Sequence, residues 1–180
     1  MDTWQAIDMI RTIRKFEERP LQADHLDRIL NAGRRAGSSK NTQLWDFIIC
    51  TDPDHLRALA EVGPYAGHLA GAATGVALVV PDPATHDAPY SIMWDLGRAA
   101  QNMVLAAWEL GIGSVPATVY RQDLARKLLG YPDDRWCEFL LSFGYPEKPE
   151  ALTWKKRAGG RKPLSEIVHL ERWQRGFRLP

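Results

Sequence analysis

Apolar residues recur every three or four positions in several stretches of the chain, which is the spacing of one face of an α-helix. The first stretch begins at Thr3, a residue suited to an N-cap, and predicts a helix that ends near Arg14. A second helix is capped by Asp24 and loosens at Gly33 and Gly37. The same spacing predicts further helices over residues 54–62, 91–110 and 121–129.

The predicted helix over residues 91–110 is the longest in the chain. Its length approaches that of a membrane span, but a single helix in lipid would not tolerate its charged and polar residues. These are Asp95, Arg98, Gln101, Asn102 and Glu109. We therefore predict a buried central helix and no contact with a membrane.

Short runs rich in β-branched and aromatic residues predict four strands, over residues 45–50, 75–80, 112–120 and 137–143. The run from Gly75 to Val80 is continuously apolar and is stopped by Pro81, as expected for a central strand that is covered on both faces. A chain of 180 residues with 45% hydrophobic residues lies in the range of one compact domain. We predict a single domain, residues 1–180, in which helices and strands are mixed.

The charges nearly balance, with 23 Lys and Arg against 22 Asp and Glu, which predicts no general attraction to nucleic acid. The first residues carry charges every few positions and no apolar core before a cleavage site, so we expect no secretory signal and a cytoplasmic location. Cys50 and Cys137 each lie in an apolar run without a nearby second cysteine. This placement predicts buried free thiols rather than a disulfide.

The chain from Lys155 onward shows no clear period and carries eight Lys or Arg against two Glu. A segment of this length without its own periodicity is long for a loop, so we expect an extended arm that is held by a second copy of the chain. Its apolar anchors are Leu164, Ile167, Val168, Leu170, Trp173 and Phe177. An alternative is that this basic arm binds nucleic acid.

Two polar segments are candidates for ligand binding. Arg11 and Arg14 are three residues apart and would share one face of the predicted first helix, where both guanidinium groups could bind one anion such as a phosphate. The alternative is a solvated helix end, where cations are stabilising in any case. The loop from Gly37 to Trp45 is rich in hydroxyl and carboxamide groups that could bind a flavin, although an ordinary connection has the same composition.

Two further segments are weak signals in isolation: residues 113–120, with the sequence GSVPATVY, and Gly160–Leu164 with the later His169 and Trp173. Taken in order, all four segments resemble the FMN-dependent nitroreductase family over nearly the whole chain. The segments that carry the resemblance are Arg11–Arg14, Ala36–Trp45, Ala100–Met103 leading into Leu110–Ser114, Leu141–Pro146, and Arg161–Leu164.

The resemblance implies an α+β fold with a central mixed, mainly antiparallel sheet that is flanked by helices, and an extended arm over residues 155–180. It implies a homodimer that binds FMN, takes hydride from NADH or NADPH, and reduces a small acceptor such as a nitroaromatic or a quinone by ping-pong turnover. The residues that it assigns to FMN are Arg11, Thr12, Arg14, Ser38, Ser39, Asn41, Gln43, Pro116, Ala117, Thr118, Val119 and Arg161.

Within this set, the three arginines are expected at the phosphate and ribityl chain, and the backbone N–H groups of Thr118 and Val119 near the flavin N5 edge. The chain also departs from the family. Many members have a further Arg where Ile10 stands, and proline where Gly37 and Leu44 stand, so phosphate geometry and loop stiffness differ.

Other kinds of catalytic site are not indicated by the sequence. Gly111–Gly113 follows a predicted helix and enters a strand, the reverse of a dinucleotide fingerprint, and neither a Walker loop nor a Gly-x-Ser-x-Gly elbow occurs. The five histidines lack metal-ligand spacing, so we expect no metal. Because a flavin carries its own hydride chemistry, no catalytic dyad is required.

Two alternatives within flavin chemistry stay open at this point: a non-catalytic flavin-binding or storage module, and a dehalogenating or flavin-fragmenting member of the same family. Four aromatic residues are candidates for the wall of a substrate pocket, although burial in the core is the more frequent fate of such side chains. They are Trp45, Tyr65, Tyr90 and Trp94.

Overall fold

A computed structural model describes residues 2–85, 88–153 and 160–176 of the chain. The helices are α1 (Thr3–Met9), α2 (Ala23–Arg34), α3 (Pro53–Leu59), α4 (Ile92–Glu109), α5 (Gln122–Leu129) and α6 (Leu164–Ile167). The strands are β1 (Asp46–Cys50), β2 (Thr74–Pro81), β3 (Gly113–Thr118) and β4 (Arg135–Gly144). Short 3₁₀ turns lie at Ser39–Asn41, Ala60–Val62, Gly67–Gly71 and Pro149–Leu152.

The four strands form one sheet in the order β1-β2-β4-β3, and every neighbouring pair is antiparallel. A register shift between Leu78 and Val79 marks an irregularity in the pairing of β2 with β4. A parallel contact occurs only as an isolated bridge between Thr12 and Ser114 in the described chain. The predicted α+β class with a mainly antiparallel sheet is confirmed.

The core lies on both faces of this sheet, as the unbroken apolar run of β2 predicts. Val76, Leu78 and Val80 pack with buried residues of α2 and α4 on one face. Ala77 and Val79 point to the other face and pack with buried residues of α3 and α5. The alternation of side chains along a strand therefore divides one continuous apolar sequence between two cores.

Helices α2 and α4 approach closely at Gly33. A Cβ atom built on Gly33 would lie 2.2 Å from Cε of Met103, which is fully buried in α4. Gly33 is the last residue but one of α2, which ends at Arg34, so the predicted loosening of this helix between Gly33 and Gly37 agrees with the structure. Gly33 also makes room for Met103 of the neighbouring helix. Gln22, rather than Asp24, occupies the N-cap position of α2.

The first helix is shorter than predicted. Asp2, rather than Thr3, is its N-cap, and the Asp2 carboxylate accepts the backbone N–H of Gln5 at 2.8 Å. The helix ends at Met9, and the backbone N–H of Ile13 instead donates to the carbonyl of Ser114 at 3.0 Å. The apolar spacing continued to Ile13 because this residue is buried, but it is buried against β3 and not on a helix face.

Both cysteines are buried and free, as predicted. Burial raises the pKa of Cys50 to about 11 and that of Cys137 to about 12, so both are thiols at neutral pH. Neither residue is therefore suited to nucleophilic chemistry.

The C-terminal arm is described over residues 160–176 and contains α6. Four of its predicted anchors are exposed to solvent in the single chain, namely Leu164, Ile167, Leu170 and Trp173, and Val168 is partly buried. Of the predicted anchors, Phe177 lies outside the described residues, as does Lys155 at the start of the predicted arm. Among the helices of the described ranges, none is long and apolar enough to cross a membrane.

Candidate functional site

Strand β3 forms one edge of the sheet, and its outer side carries several of the predicted flavin residues. The backbone N–H of Val119 donates to the carbonyl of Glu138 in β4 at 2.9 Å. Since backbone groups alternate along an antiparallel strand, the N–H of Thr118 points away from β4, toward the free edge. The prediction that both N–H groups serve the flavin is therefore wrong for Val119 and open for Thr118.

Pro116 also lies at an outward position of this edge strand. Proline has no N–H group to leave unpaired, which is why it is tolerated at a sheet edge. Pro116 is exposed, whereas Ala117 is buried and faces the core under α3 and α5. The outer side of β3 therefore presents the Pro116 ring and the Thr118 N–H. Ala117 is paired with Leu140 of β4 and turns its backbone groups toward that strand, as Val119 does, so its predicted flavin contact is also wrong.

The Arg11–Arg14 stretch runs beside this edge and is joined to it at Ser114. It is not helical, so the predicted common helix face of Arg11 and Arg14 does not exist. Thr12 and Arg14 are exposed, while Ile13 between them is buried. Arg11 is partly buried, and its Nε donates to the carbonyl of Met9 at 3.2 Å. The structure thus brings Thr12 and Arg14 to the site and turns Arg11 partly inward.

A cavity of about 420 Å³ opens between this stretch and the residues after β4. Its polar lining includes Thr12, Arg14, Lys15 and Lys148, with Glu147 as the acidic residue. The two walls are held together because the backbone N–H of Glu147 donates to the carbonyl of Lys15 at 3.2 Å. Three cations and a hydroxyl around one cavity are suited to a phosphate group.

Sequence reasoning missed two of these cations. Lys15 lies directly after Arg14, and this adjacent positive charge was the sequence signal that could have included it. Lys148 follows the Gly144–Pro146 turn out of β4, and nothing in its local sequence indicates a ligand. The pairing of residues 15–17 with residues 145–147 brings it beside Lys15.

His68, which the sequence analysis treats only as a possible metal ligand, lies beside β3 and β4. Its Nδ1 is 2.7 Å from Oγ of Ser142, a fully buried residue of β4. Burial lowers the pKa of His68, the Pro116 carbonyl acts in the opposite direction, and the Arg14 charge lowers it further. The imidazole is therefore neutral at physiological pH. In the residues that the structure describes, no group of three His, Cys, Asp or Glu could hold a metal ion.

The predicted flavin loop has an unusual backbone. Lys40, Asn41 and Gln43 have φ angles of 50°, 57° and 49°, in the left-handed region that residues other than glycine rarely adopt. The loop is closed by Ser38, whose hydroxyl accepts the backbone N–H of Gln43 at 3.0 Å. The Gln43 carboxamide donates to Oδ1 of Asn41 at 3.2 Å. Strained loops of this kind concentrate at functional sites.

The loop and the Arg11–Arg14 stretch lie at opposite ends of α4. The backbone N–H of Ser39 donates to Asp95 in the first turn of α4 at 2.8 Å, whereas Ile13 packs in one cluster with Trp108 in the last turn. Trp108 is thirteen positions after Asp95, which is roughly 20 Å along the helix at 1.5 Å per residue. One chain therefore does not bring the two halves of the predicted site together.

Arg161 lies in the arm, is exposed, and is joined to the rest of the site through residues 154–159, which are outside the described ranges. The candidate wall residues are mostly not in the core, so the expectation of burial is wrong for three of the four. Tyr65, Tyr90 and Trp94 are exposed. Trp45 is partly buried and stacks on Phe47 with ring centroids 6.5 Å apart.

Comparison with known proteins identifies the family. The model of the nitroreductase family matches residues 7–145. An Archaeoglobus fulgidus protein with the provisional name NADH dehydrogenase/NAD(P)H nitroreductase is 35% identical over 76% of this chain and 81% of its own length. A Methanothermobacter thermautotrophicus protein of the same name is 30% identical over 96% of this chain and 88% of its own length.

A solved structure agrees with these sequence matches. The NADPH:FMN oxidoreductase from Vibrio harveyi, complexed with NAD⁺, superposes with a TM-score of 0.81 at 25% identity. The match covers 96% of this chain and 78% of that one. With the family model matching most of the chain and two relatives at 30% identity or above, the chain belongs to the nitroreductase family.

Proposed function

We propose that this chain is an FMN-dependent oxidoreductase that takes hydride from NADH or NADPH and passes it to a small acceptor such as a nitroaromatic or a quinone. The observation that carries the proposal is the cavity lined by Thr12, Arg14, Lys15 and Lys148, which is formed by the stretch that pairs with the β3 edge at Ser114. A cationic cavity beside an outward backbone N–H suits a cofactor that has a phosphate at one end and a polar ring at the other. Membership of the nitroreductase family supports FMN as that cofactor.

The residues of this chain have separate tasks in holding FMN. Arg14 and Thr12 bind the phosphate with Lys15 and Lys148, and Arg11 and Arg161 add charge nearby. Pro116 and the Thr118 N–H lie along the flavin ring. FMN supplies the hydride transfer when it is bound. The protein binds and orients the cofactor and leaves one face of it open to small molecules.

The complete site requires a second copy of the chain. Asp95, which accepts the Ser39 amide, is roughly 20 Å along α4 from Trp108, which packs with Ile13. We therefore infer that the predicted flavin loop contacts the flavin of the other subunit. The exposed apolar arm supports the same conclusion, because monomeric proteins rarely leave such patches in water. We therefore propose a homodimer in which the arm packs on the partner and both chains contribute to each flavin site.

Donor and acceptor would use the same open flavin face in turn. Gly111–Gly113 leads from α4 into β3, and this order cannot cradle a dinucleotide pyrophosphate in the manner of a strand–turn–helix motif. Initial rates with varied NAD(P)H and a quinone should accordingly give parallel double-reciprocal lines. Intersecting lines would indicate a ternary complex with separate sites.

The test of the function begins with the visible spectrum of the purified protein. Bound FMN gives a yellow protein with two absorption bands, and stopped-flow mixing with NADH or NADPH should bleach the longer-wavelength band. Colourless protein that cannot be reconstituted with FMN would refute cofactor binding. A yellow protein that neither nucleotide bleaches would instead favour a flavin-binding or storage module, and turnover of a halogenated substrate or of the flavin itself would identify the other open alternative.

A further inference from the structure

Asp95 is a buried carboxylate in the first turn of α4, and the proposed hydride transfer does not use it. It is 6% exposed, and its Oδ2 accepts the backbone N–H of Ser39 at 2.8 Å. Its Oδ1 lies 4.0 Å from Nη1 of Arg98, one turn further along the helix. Burying a carboxylate is costly unless it is paired and hydrogen bonded. The compensating partners of Asp95 are thus the flavin loop and a cation beside it.

Arg98 connects the same carboxylate to the start of the loop. Its guanidinium lies so close to Gly37 that a Cβ atom on that residue would be 2.4 Å from Nη2. A side chain at position 37 would therefore displace the guanidinium. Asp95 and Arg98 thus lie beside the two residues that flank Ser38.

The loop itself favours other conformations. Lys40, Asn41 and Gln43 are all left-handed without being glycine, and each would be more stable in an extended or right-handed conformation. The bonds from Gln43 to Ser38 and Asn41 close the loop on itself but do not attach it to the body of the protein. The bond from Ser39 to Asp95 does attach it, to a long helix with a fully packed inner face.

We propose that Asp95 is a positioning residue that holds residues 38–43 in the left-handed conformation needed to contact a flavin. The proposal rests on the proposed function, since it assigns the loop to FMN. A loop that is already held in its binding conformation does not have to be ordered when the ligand arrives, and affinity increases accordingly. Because Asp95 and Trp108, the helix residue that packs with Ile13, are roughly 20 Å apart along α4, Asp95 acts on the flavin whose phosphate is bound by the other subunit.

The test compares Asp95→Ala and Asp95→Asn with Leu96→Val in the full-length protein. Asp95→Ala removes the acceptor for Ser39 and should raise the Kd for FMN by roughly 10- to 100-fold, the effect of losing one charge-assisted bond. Asp95→Asn keeps an oxygen acceptor without the charge and should raise the Kd by about three- to tenfold. Leu96 is buried in the same helix, so Leu96→Val should lower the melting temperature without changing the Kd.

A rescue experiment separates positioning from general damage to the fold. Glycine adopts a φ near 50° without strain, so adding Lys40→Gly to Asp95→Ala should recover part of the lost FMN affinity. Hydrogen exchange of the Ser39 amide gives a readout that needs no flavin. Exchange should be slow in the wild type and fast in Asp95→Ala, with the amide of Ile13 as an unaffected reference because its acceptor is Ser114.

Unchanged FMN affinity in both Asp95 variants would overturn the proposal, and so would an equal loss in Leu96→Val at matched stability. Should Asp95→Ala fail to fold, Asp95→Asn decides the question alone: a Kd equal to that of the wild type rejects the positioning role. If the wild type does not bind FMN, the proposed function fails. The Ser39 exchange rate then still shows whether Asp95 holds the loop, so the two failures are distinguishable.

Discussion

Gly113 is the point at which the packing of the fold and the geometry of the proposed FMN site can be tested together. A Cβ atom on Gly113 would lie 2.6 Å from Cβ of Ile13 and 2.7 Å from its Cγ2. Carbon atoms in contact are about 3.5–4.0 Å apart, so Gly113→Ala must displace Ile13 by about 1 Å. Ile13 cannot simply rotate away, because the closest atom is attached directly to its backbone and the side chain is β-branched.

The displacement should affect both stability and binding. Overpacking of this size costs about 1–3 kcal/mol, which corresponds to a fall in melting temperature of about 2–10 °C for a domain of this length. Thr12 and Arg14 flank Ile13 and would move with it. Loss of one charge-assisted bond to the FMN phosphate should raise the Kd by about tenfold or more.

Thermal unfolding and a fluorescence titration with FMN measure the two effects, with Gly71→Ala as the matched control. Gly71 has no atom within 4 Å of the position that a Cβ would occupy, so this variant should change neither quantity. A Gly113→Ala protein with a lowered melting temperature and unchanged FMN affinity would refute the placement of Thr12 and Arg14 in the site. An unchanged melting temperature would refute the packing of Ile13 on β3.

Three further predictions address charge, pH and the arm. Arg14→Ala should raise the Kd for FMN by roughly 10- to 100-fold with little change in stability, because Arg14 is exposed. Lys127→Ala, which removes an exposed cation from α5, should leave the Kd unchanged. A titration in which Arg14→Ala and the wild type have the same Kd would remove Arg14 from the site. Burial lowers the pKa of His68, so as the pH falls below about 6.5 the unfolded chain binds the proton first and the stability of the fold declines. Between about pH 7.5 and 5.5 the melting temperature should therefore fall less steeply in His68→Gln than in the wild type. An identical slope would assign the pH dependence of stability to another group. Deleting the chain from Leu164 onward should both dissociate the dimer and release FMN, and light scattering that showed a yellow, active monomer at micromolar concentration would contradict the exchanged arm.

The elements that the sequence predicted correctly are those whose environment is encoded locally. β2 is an unbroken apolar run that ends at Pro81, and α4 carries a helical apolar face. An apolar face is buried whichever neighbour covers it, so the spacing of apolar residues alone predicts a strand in the first case and a helix in the second. The cysteines are buried for the same reason. The polar composition of residues 38–43 correctly predicted a connecting loop before a strand, and its role in flavin binding stays a prediction.

The tertiary structure decided what depends on partners that are far apart in the sequence. The helix that the sequence predicted through Arg14 ends at Met9, because the amide of Ile13 is bonded to Ser114 about one hundred residues away. The backbone N–H of Val119 is bonded to Glu138 within the sheet. Lys148 lines the cationic cavity because residues 146–147 pair with residues 15–16. Asp95 accepts a hydrogen bond from the backbone N–H of Ser39, which lies 56 positions earlier in the sequence. The partners of these hydrogen bonds, and the segments that pack against each end of α4, are set by packing in three dimensions. Local periodicity carries no information about either.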